Sequence, residues 1–181
     1  EKLNKKKYDV LLLTDTVDEW VMNSINEYDS KKLSSITKEG LDLDTEEEKE
    51  SKKKELENKQ EKLKDLCVKI QESLKDHIKE VKVTDRLVDS PVCLVSETNG
   101  PSAHMERIME KIGQGSQQKT KRTLELNPDH PVFERMLSVE EDKTQLWSQI
   151  LYNQALLTEG SPIEDPALFS KQISEVMMES K

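Results

Sequence analysis

The fold is decided near the end of the chain, by residues 146–157, L-W-S-Q-I-L-Y-N-Q-A-L-L, and residues 166–178, P-A-L-F-S-K-Q-I-S-E-V-M-M. Apolar residues recur every three or four positions in both stretches, which predicts two helices with one apolar face each. Gly160 is expected to end the first helix, while Asp165 caps the second and Pro166 begins it. Two short helices of this kind need a partner surface, supplied by the rest of the chain or by a second copy.

A second copy of the chain would bury both apolar faces. The two helix pairs would then form a symmetric four-helix bundle across a two-fold axis. We adopt this interpretation, and it makes the chain a homodimer. The residues expected at the dimer interface are Leu146, Trp147, Ile150, Leu151, Leu157, Leu168, Phe169, Ile173, Val176 and Met177.

The composition limits both the core and the classes of function. Of the 181 residues, 33% are apolar and 36% are charged, so the core is small and the chain suits one domain or slightly more. The net charge of −9 disfavours a nucleic-acid partner, because no basic stripe is present to neutralise phosphates. No apolar run reaches the roughly 20 residues of a membrane helix, and no signal peptide is recognisable. We therefore expect a cytoplasmic protein without a membrane or nucleic-acid partner.

Residues 1–43 predict a strand, a helix and a second strand. Residues 8–13, Y-D-V-L-L-L, form an apolar run typical of a strand covered on both faces. Thr16 and Glu19 have the spacing of a capping box at a helix start, and residues 33–37 suggest the second strand. Such a unit needs neighbouring strands. Since the first residue is also not Met, we expect this segment to be the remnant of a larger α/β domain.

Residues 44–181 predict a small α+β domain. A highly charged segment leads into one long helix whose apolar periodicity continues to Ile78. Strands are expected within residues 81–87 and 91–95, paired as a hairpin, and a third strand at residues 122–126. The order of elements is helix, strand, strand, helix, strand and then three helices. This order predicts a small three-stranded sheet packed with helices and followed by the terminal helix pair.

A short helix between the second and third strands carries a narrow apolar stripe. Its residues are Met105, Ile108, Met109 and Ile112. Loose sequences at residues 99–101 and 113–118 indicate flexible joints on both sides. The pattern alone favours a helix folded back onto the sheet as core. The alternative is an exposed helix whose flexible methionines accept many partners. Trp20 poses the same question, because a large aromatic residue is more often core but also suits a binding anchor.

The residue types that carry catalysis are poorly placed. Cys67 and Cys93 are expected to be small buried apolar residues in a reducing compartment, and no metal-ligand spacing includes them. His130 follows Asp129, but adjacent residues at a helix start rarely face each other. Capping of the next helix by residues 127–128 explains this stretch without chemistry. We expect no catalytic residue, metal or cofactor in this chain.

Several motifs in collinear order resemble heat-shock protein 90 chaperones. Two of them resemble the end of the middle domain of that family: L-L-T-D-T-V-D-E-W at residues 12–20 and S-I-T-K-E-G-L at residues 35–41. The motifs similar to the C-terminal domain of the family lie at residues 83–87, 90–92, 105–109, 126–130, 151–157 and 163–166. Trp20 and the Leu-Tyr-Asn-Gln-Ala-Leu-Leu run are more similar to the bacterial type, whereas the Lys- and Glu-rich residues 44–64 are closer to the eukaryotic pattern.

The resemblance implies a division of the chain and a set of partners. Residues 1–43 would end the middle domain of the chaperone, and residues 44–181 would be its C-terminal dimerisation domain. The parent protein would be an ATPase that binds ATP and Mg²⁺ in an N-terminal domain outside this chain. Unfolded or partly folded client proteins would be its partners. The residues implied in client binding are Glu19, Trp20, Asn23, Met105, Ile108, Met109 and Ile112.

The sequence therefore predicts a module of an ATP-dependent chaperone that dimerises and contacts client proteins. A monomeric adaptor is the alternative, in which the terminal helices pack onto their own sheet and the methionine-rich helix binds a dedicated partner. A hydrolase that uses Asp129 and His130 is a third hypothesis, and the sequence offers it no matching nucleophile.

Overall fold

The chain was analysed as a computed structural model. The residues that it describes are 3, 8–39, 46–98, 100–114 and 120–179. The chain forms two compact units. The first unit combines Glu1–Leu43 with Val95–Thr120, and the second combines Asp44–Leu94 with Lys121–Lys181. The elements follow in chain order as α1 (Thr16–Ser24), β1 (Glu27–Tyr28), β2 (Lys31–Lys32), α2 (Glu46–Ser73), β3 (Ile78–Val83), β4 (Val92–Val95), α3 (Ala103–Lys111), β5 (Arg122–Leu126), α4 (Pro131–Met136), α5 (Glu141–Thr158) and α6 (Pro166–Glu179).

Helix α1 of the first unit begins with a capping box one residue earlier than the sequence predicts. The side chain of Asp15 accepts a hydrogen bond from the backbone N of Val17 at 3.3 Å. The carboxylate of Asp18 accepts in return from the backbone N of Asp15 at 3.0 Å. The predicted pair of Thr16 and Glu19 is therefore wrong, because two carboxylates satisfy the free N–H groups of this helix start.

The strands predicted at residues 8–13 and 33–37 are wrong. Both stretches lack strand pairing, and Leu12 is 86% exposed. An apolar run becomes a strand only where a neighbouring strand supplies a row of hydrogen bonds. In the described residues these stretches make isolated backbone bonds, such as those of Leu33 and Thr37, and no such row. A short antiparallel hairpin of β1 and β2 is found instead. Its turn residues Asp29 and Ser30 have φ of 48° and 58°, the left-handed conformation that a tight two-residue hairpin turn requires.

A backbone clasp joins two distant segments of the first unit. Lys38 and Ser96 form a parallel bridge. The backbone N of Glu39 donates to Ser96 O at 2.9 Å, and the backbone N of Ser96 donates to Thr37 O at 3.0 Å. The hydroxyl of Thr98 adds a bond to the carbonyl of Glu39 at 3.2 Å. These bonds fix the chain that leads toward α3.

The second unit contains the predicted three-stranded sheet, but the strand order is β3-β5-β4. Strand β5 lies in the middle and pairs parallel to β3, with Val81 opposite Leu124 and Val83 opposite Leu126. The predicted hairpin is therefore wrong. Strand β5 separates the two strands of that hairpin because four of its five residues are buried, on both faces of the sheet. Such burial is typical of a central strand. The α+β class and the order of elements are confirmed.

Helix α2 is 28 residues long, as the charge pattern and the apolar periodicity predict. Its N-terminal half is charged, and its C-terminal half contributes Leu63, Leu66 and Ile70 to the core. The helical periodicity stops at Leu74, whose carbonyl accepts from the backbone N of His77 at 2.8 Å. Ile78 begins β3, so its predicted place in the helix is wrong.

Helix α4 begins later than predicted. His130 is its N-cap, and the ring Nδ1 accepts a hydrogen bond from the backbone N of Val132 at 3.2 Å. Asn127 is buried and donates instead to the carbonyls of Val88 and Ser90, at 3.2 and 3.3 Å. The predicted cap at residues 127–128 is thus wrong, because this amide holds the loop before β4.

A single apolar cluster forms the core of the second unit. Helix α2, the sheet and the helices α4 and α5 all contribute to it. Its buried members are Leu63, Leu66, Ile70, Leu74, Ile78, Val92, Leu94, Leu124, Leu126, Phe133, Met136, Leu151, Ala155 and Leu156.

Substitution of Phe133 tests this core. Phe133 is fully buried, so Phe133→Ala should lower the free energy of unfolding by about 3–5 kcal/mol through lost burial and a residual cavity. Leu137, at the end of the same helix, is 44% exposed, and Leu137→Ala should cost less than about 1 kcal/mol. Urea unfolding followed by far-UV circular dichroism measures both. Equal destabilisation by the two variants would contradict this core.

Candidate functional site

Helices α1 and α3, which carry the predicted client-binding residues, contact each other within the first unit. Ser102 is the N-cap of α3, and its Oγ accepts a hydrogen bond from the backbone N of Met105 at 3.0 Å. The same hydroxyl donates to Oε1 of Glu19 in the first turn of α1. One serine therefore caps α3 and ties it to α1.

The apolar stripe of α3 is buried at one end and open at the other. Met105 and Ile108 are 8% and 7% exposed, Met109 is half-buried and Ile112 is 54% exposed. The interpretation as core therefore applies to the N-terminal part of α3, and the interpretation as an exposed binding helix applies to its C-terminal end. The N-terminal joint is fixed by Ser102, in contrast to the predicted loose joint. Residues 99 and 115–119 lie outside the described residues.

Trp20 is not part of a core. Its side chain is 47% exposed. Val17, three residues earlier, is 57% exposed, and Val21, the next residue, is 41% exposed. Positions three and four apart in a helix share one face, so these residues give α1 an open apolar face. Asn23 lies in the same helix, and its side chain is outside the described part of the chain.

Helix α5 ends and helix α6 begins where the sequence predicts. Gly160 follows α5 with φ of 78°, the left-handed conformation of a helix end that glycine adopts without strain. The carboxylate of Asp165 accepts from the backbone N of Leu168 at 2.9 Å, and Pro166 is the first residue of α6. Helix α5 contacts both α2 and α6.

The predicted interface residues divide by exposure. Leu151 is 4% exposed and belongs to the core of its own unit, and Trp147 packs against that core. Leu157, Leu168 and Met177 are 47–71% exposed. The half-buried remainder is Leu146, Ile150, Phe169, Ile173 and Val176. No helix in the described ranges is long and apolar enough to cross a bilayer.

A nearly buried ion pair next to the terminal helices was not predicted. The guanidinium of Arg122, at the start of β5, pairs with the carboxylate of Glu159 at the end of α5, and both side chains are 15% exposed or less. The hydroxyl of Ser161 donates to the same carboxylate at 2.5 Å. Tyr152 lies nearby, and burial raises the pKa of its phenol. Because Arg122 and Glu159 are 37 residues apart, no local sequence pattern reveals the pair.

The geometry of Asp129 and His130 does not support the hydrolase hypothesis. The carboxylate of Asp129 pairs with Nζ of Lys59 at 2.9 Å, and Nδ1 of His130 is occupied by the backbone bond that caps α4. Each group already has a structural partner, so the two do not form an acid–base pair. In the parts of the chain that are described, no three His, Cys, Asp or Glu residues are placed to hold a metal ion.

Both cysteines are half-buried free thiols. Burial raises the pKa of Cys67 to about 11, and burial together with the nearby carboxylate of Glu125 raises the pKa of Cys93 to about 11. At neutral pH these thiols stay protonated, which makes them poor nucleophiles and poor metal ligands. They act as small packing residues.

Comparison with known proteins identifies the family. The sequence model described as Hsp90 protein matches residues 1–181. Chaperone protein HtpG of Bdellovibrio bacteriovorus is 46% identical over 181 residues, which cover 99% of this chain and 29% of the relative. The HtpG proteins of Dechloromonas aromatica and Geobacter sulfurreducens are 44% and 42% identical, over 98% of this chain and 28% of each relative.

The chain therefore spans less than a third of the length of the curated relatives it matches. The match covers both units and both pairs of helices described above, and the predicted resemblance is confirmed. The chain belongs to the Hsp90 protein family.

Proposed function

We propose that this chain joins two protomers of an Hsp90-type chaperone and contacts its client proteins. Membership of the Hsp90 family supports the chaperone role. In this proposal residues 1–43 end the middle domain, and residues 44–181 are the dimerisation domain. ATP and Mg²⁺ bind elsewhere in the longer protein. The two activities assigned to this chain use different surfaces, one on the terminal helices and one on α1 and α3.

The exposure of α6 carries the proposal for dimerisation. This helix has 14 residues and contacts α5, yet Leu168, Met177 and Met178 remain 47%, 71% and 74% exposed. Exposed apolar residues on a terminal helix pair are the kind of surface that a symmetric four-helix bundle buries. Obligate interfaces of this type cover on the order of 2,000 Å² or more and resemble a domain core cut in half.

Two buried polar atoms in the terminal helices support the same proposal. Nε1 of Trp147 and Oε1 of Gln172 are buried and, within the described structure, have no hydrogen-bond partner. A buried polar atom without a partner costs about 1–3 kcal/mol. In this proposal, packing against a second helix pair would shift these helices and bring both atoms within reach of new partners.

The proposed client surface is the open apolar face of α1 together with the exposed end of α3. Trp20 supplies a large amphipathic anchor, and Met109 and Ile112 supply adaptable apolar contacts. Met105 and Ile108 are buried, so their role is to hold α3 in place. A small exposed patch of this kind suits weak binding of many different unfolded segments.

Dimerisation would serve the chaperone by raising the effective concentration of the two arms for each other. Two client surfaces in one dimer would also bind a long unfolded chain more tightly than either surface alone. The weak contact at each surface and the strong contact between protomers are therefore complementary parts of one function.

Charges in the terminal helices should separate the protomers. Ile150 and Ile173 are half-buried in each protomer, and in the bundle they would be buried completely. Ile150→Glu combined with Ile173→Glu should raise the dimer dissociation constant roughly 100-fold or more, because unpaired charges would enter an apolar interface. Sedimentation velocity at micromolar concentration measures the change.

Gln145→Glu with Lys171→Glu is the matched control, since both positions are exposed on the same helices and, five and two positions from Ile150 and Ile173, face away from them. This control should remain dimeric. A wild-type chain with the light-scattering mass of one protomer would refute the dimer and favour the monomeric adaptor.

Loss of exposed apolar residues should weaken client binding without unfolding the chain. Trp20→Ser with Ile112→Ser should reduce the affinity for reduced, carboxymethylated α-lactalbumin roughly tenfold, because two anchors of a small surface are removed. Fluorescence anisotropy of the labelled probe measures the affinity, and circular dichroism checks the fold. Val88→Ser with Leu137→Ser, which alters residues of similar exposure in the second unit, should leave binding unchanged. Equal loss in both variants would contradict the assignment of the surface.

A further inference from the structure

Glu19 has a partner inside the protein. The family resemblance implies that it contacts clients, yet its carboxylate accepts the hydroxyl of Ser102. We propose that Glu19 is a positioning residue that fixes α3 against α1 through Ser102, so that Trp20 and the exposed end of α3 act as one client surface. The proposal deepens the client-binding function above and rests on it.

The bonds at Ser102 form a directed chain. The backbone N–H of Met105 donates to Oγ of Ser102, whose single hydroxyl proton is donated to Glu19. Bonds in such a chain polarise each other, and a charged acceptor makes each of them stronger. The carboxylate of Glu19 also lies next to the N-terminus of α3, where the helix dipole favours a negative charge.

Burial strengthens the hydrogen bond between Ser102 and Glu19. Ser102 is 8% exposed and Glu19 is partly buried, so water competes weakly for both groups. The clasp between Lys38 and Ser96 holds the chain a few residues before Ser102. The entry to α3 is thus held by backbone bonds, while the direction of the helix is held by its cap and by Met105.

A small change of angle at the cap of α3 moves the far end of this helix by a larger distance. Ile112 lies ten positions after Ser102, which is roughly 15 Å along a helix axis. A tilt of about 20° at the cap would therefore move the exposed end of α3 by roughly 5 Å. Such a shift would change the position of Ile112 relative to the apolar face of α1, and with it the proposed joint surface.

Substitutions at Ser102 separate capping from positioning. Ser102→Asp keeps an acceptor for the N–H of Met105, and Asp is a good N-cap. It has no proton to donate to Glu19, and the two carboxylates repel each other. Adding Glu19→Gln restores a hydrogen bond, because the amide of glutamine donates to the introduced carboxylate. Glu27→Gln, an exposed position in the same unit, is the control.

Two measurements test the proposal on the intact 181-residue chain: amide hydrogen exchange of α3, and anisotropy with carboxymethylated α-lactalbumin. Ser102→Asp and Glu19→Ala should each speed exchange of the α3 amides roughly tenfold and weaken binding of the probe by a similar factor. The pair Ser102→Asp with Glu19→Gln should return both values to within about twofold of wild type. Glu27→Gln should change neither.

The outcomes separate the possible errors. If Glu19→Ala weakens binding while Ser102→Asp leaves both measurements unchanged, Glu19 contacts the client directly and the positioning role is refuted. If the paired variant restores neither measurement, the proposal is also refuted. If the wild-type chain does not bind the probe but the exchange pattern follows the prediction, the contact between Glu19 and Ser102 is supported and the client-binding function is the part that fails.

Discussion

The central position of β5 is the constraint on which the second unit depends. Its neighbouring residues Thr123 and Leu124, which point to opposite faces, are 1% and 0% exposed, and a strand buried on both faces needs a strand on each side and helices above and below it. Strand β5 also begins with Arg122, whose ion pair with Glu159 holds the end of α5. The strand that completes the sheet thereby fixes the C-terminal end of α5 against the sheet. The position of the proposed dimer surface therefore depends on the sheet.

The first unit is held together by a different kind of contact. Its polar contacts include a carboxylate capping box at α1, the clasp at Lys38 and Ser96, and the contact between Ser102 and Glu19. Polar bonds of this kind fix directions but bury little apolar area, so they leave a segment able to open locally at low cost. Apolar side chains such as Trp20 stay exposed. A unit of this design suits a surface that must adapt to many partners.

The periodicity of apolar residues predicted the helices, which depend on residues close in sequence. It did not predict contacts between residues far apart in sequence. The long α2, the stripe of α3 and the terminal helices follow from spacings of three and four residues, and Gly160 and Asp165 mark ends by their own backbone chemistry. The hairpin prediction failed because strand pairing is decided by burial across the whole sheet. The contact between Glu19 and Ser102 spans 83 residues, and only the folded chain brings these two polar groups together. Patterns of neighbouring residues in the sequence do not predict such a pair.

The predicted site residues differ in exposure because packing covers only part of each helix. An apolar stripe identifies one face of a helix, but only packing decides which part of that face is covered. In α3 the covered part, Met105, anchors the helix and the open part, Ile112, is available for contact. In the terminal helices Leu151 belongs to the core and Met177 to the open surface. A surface built from the uncovered ends of anchored helices is small, and its affinity for any one segment is low. In the proposed dimer, two copies of this surface would gain affinity by multivalency, while each single contact would stay weak enough to release its client.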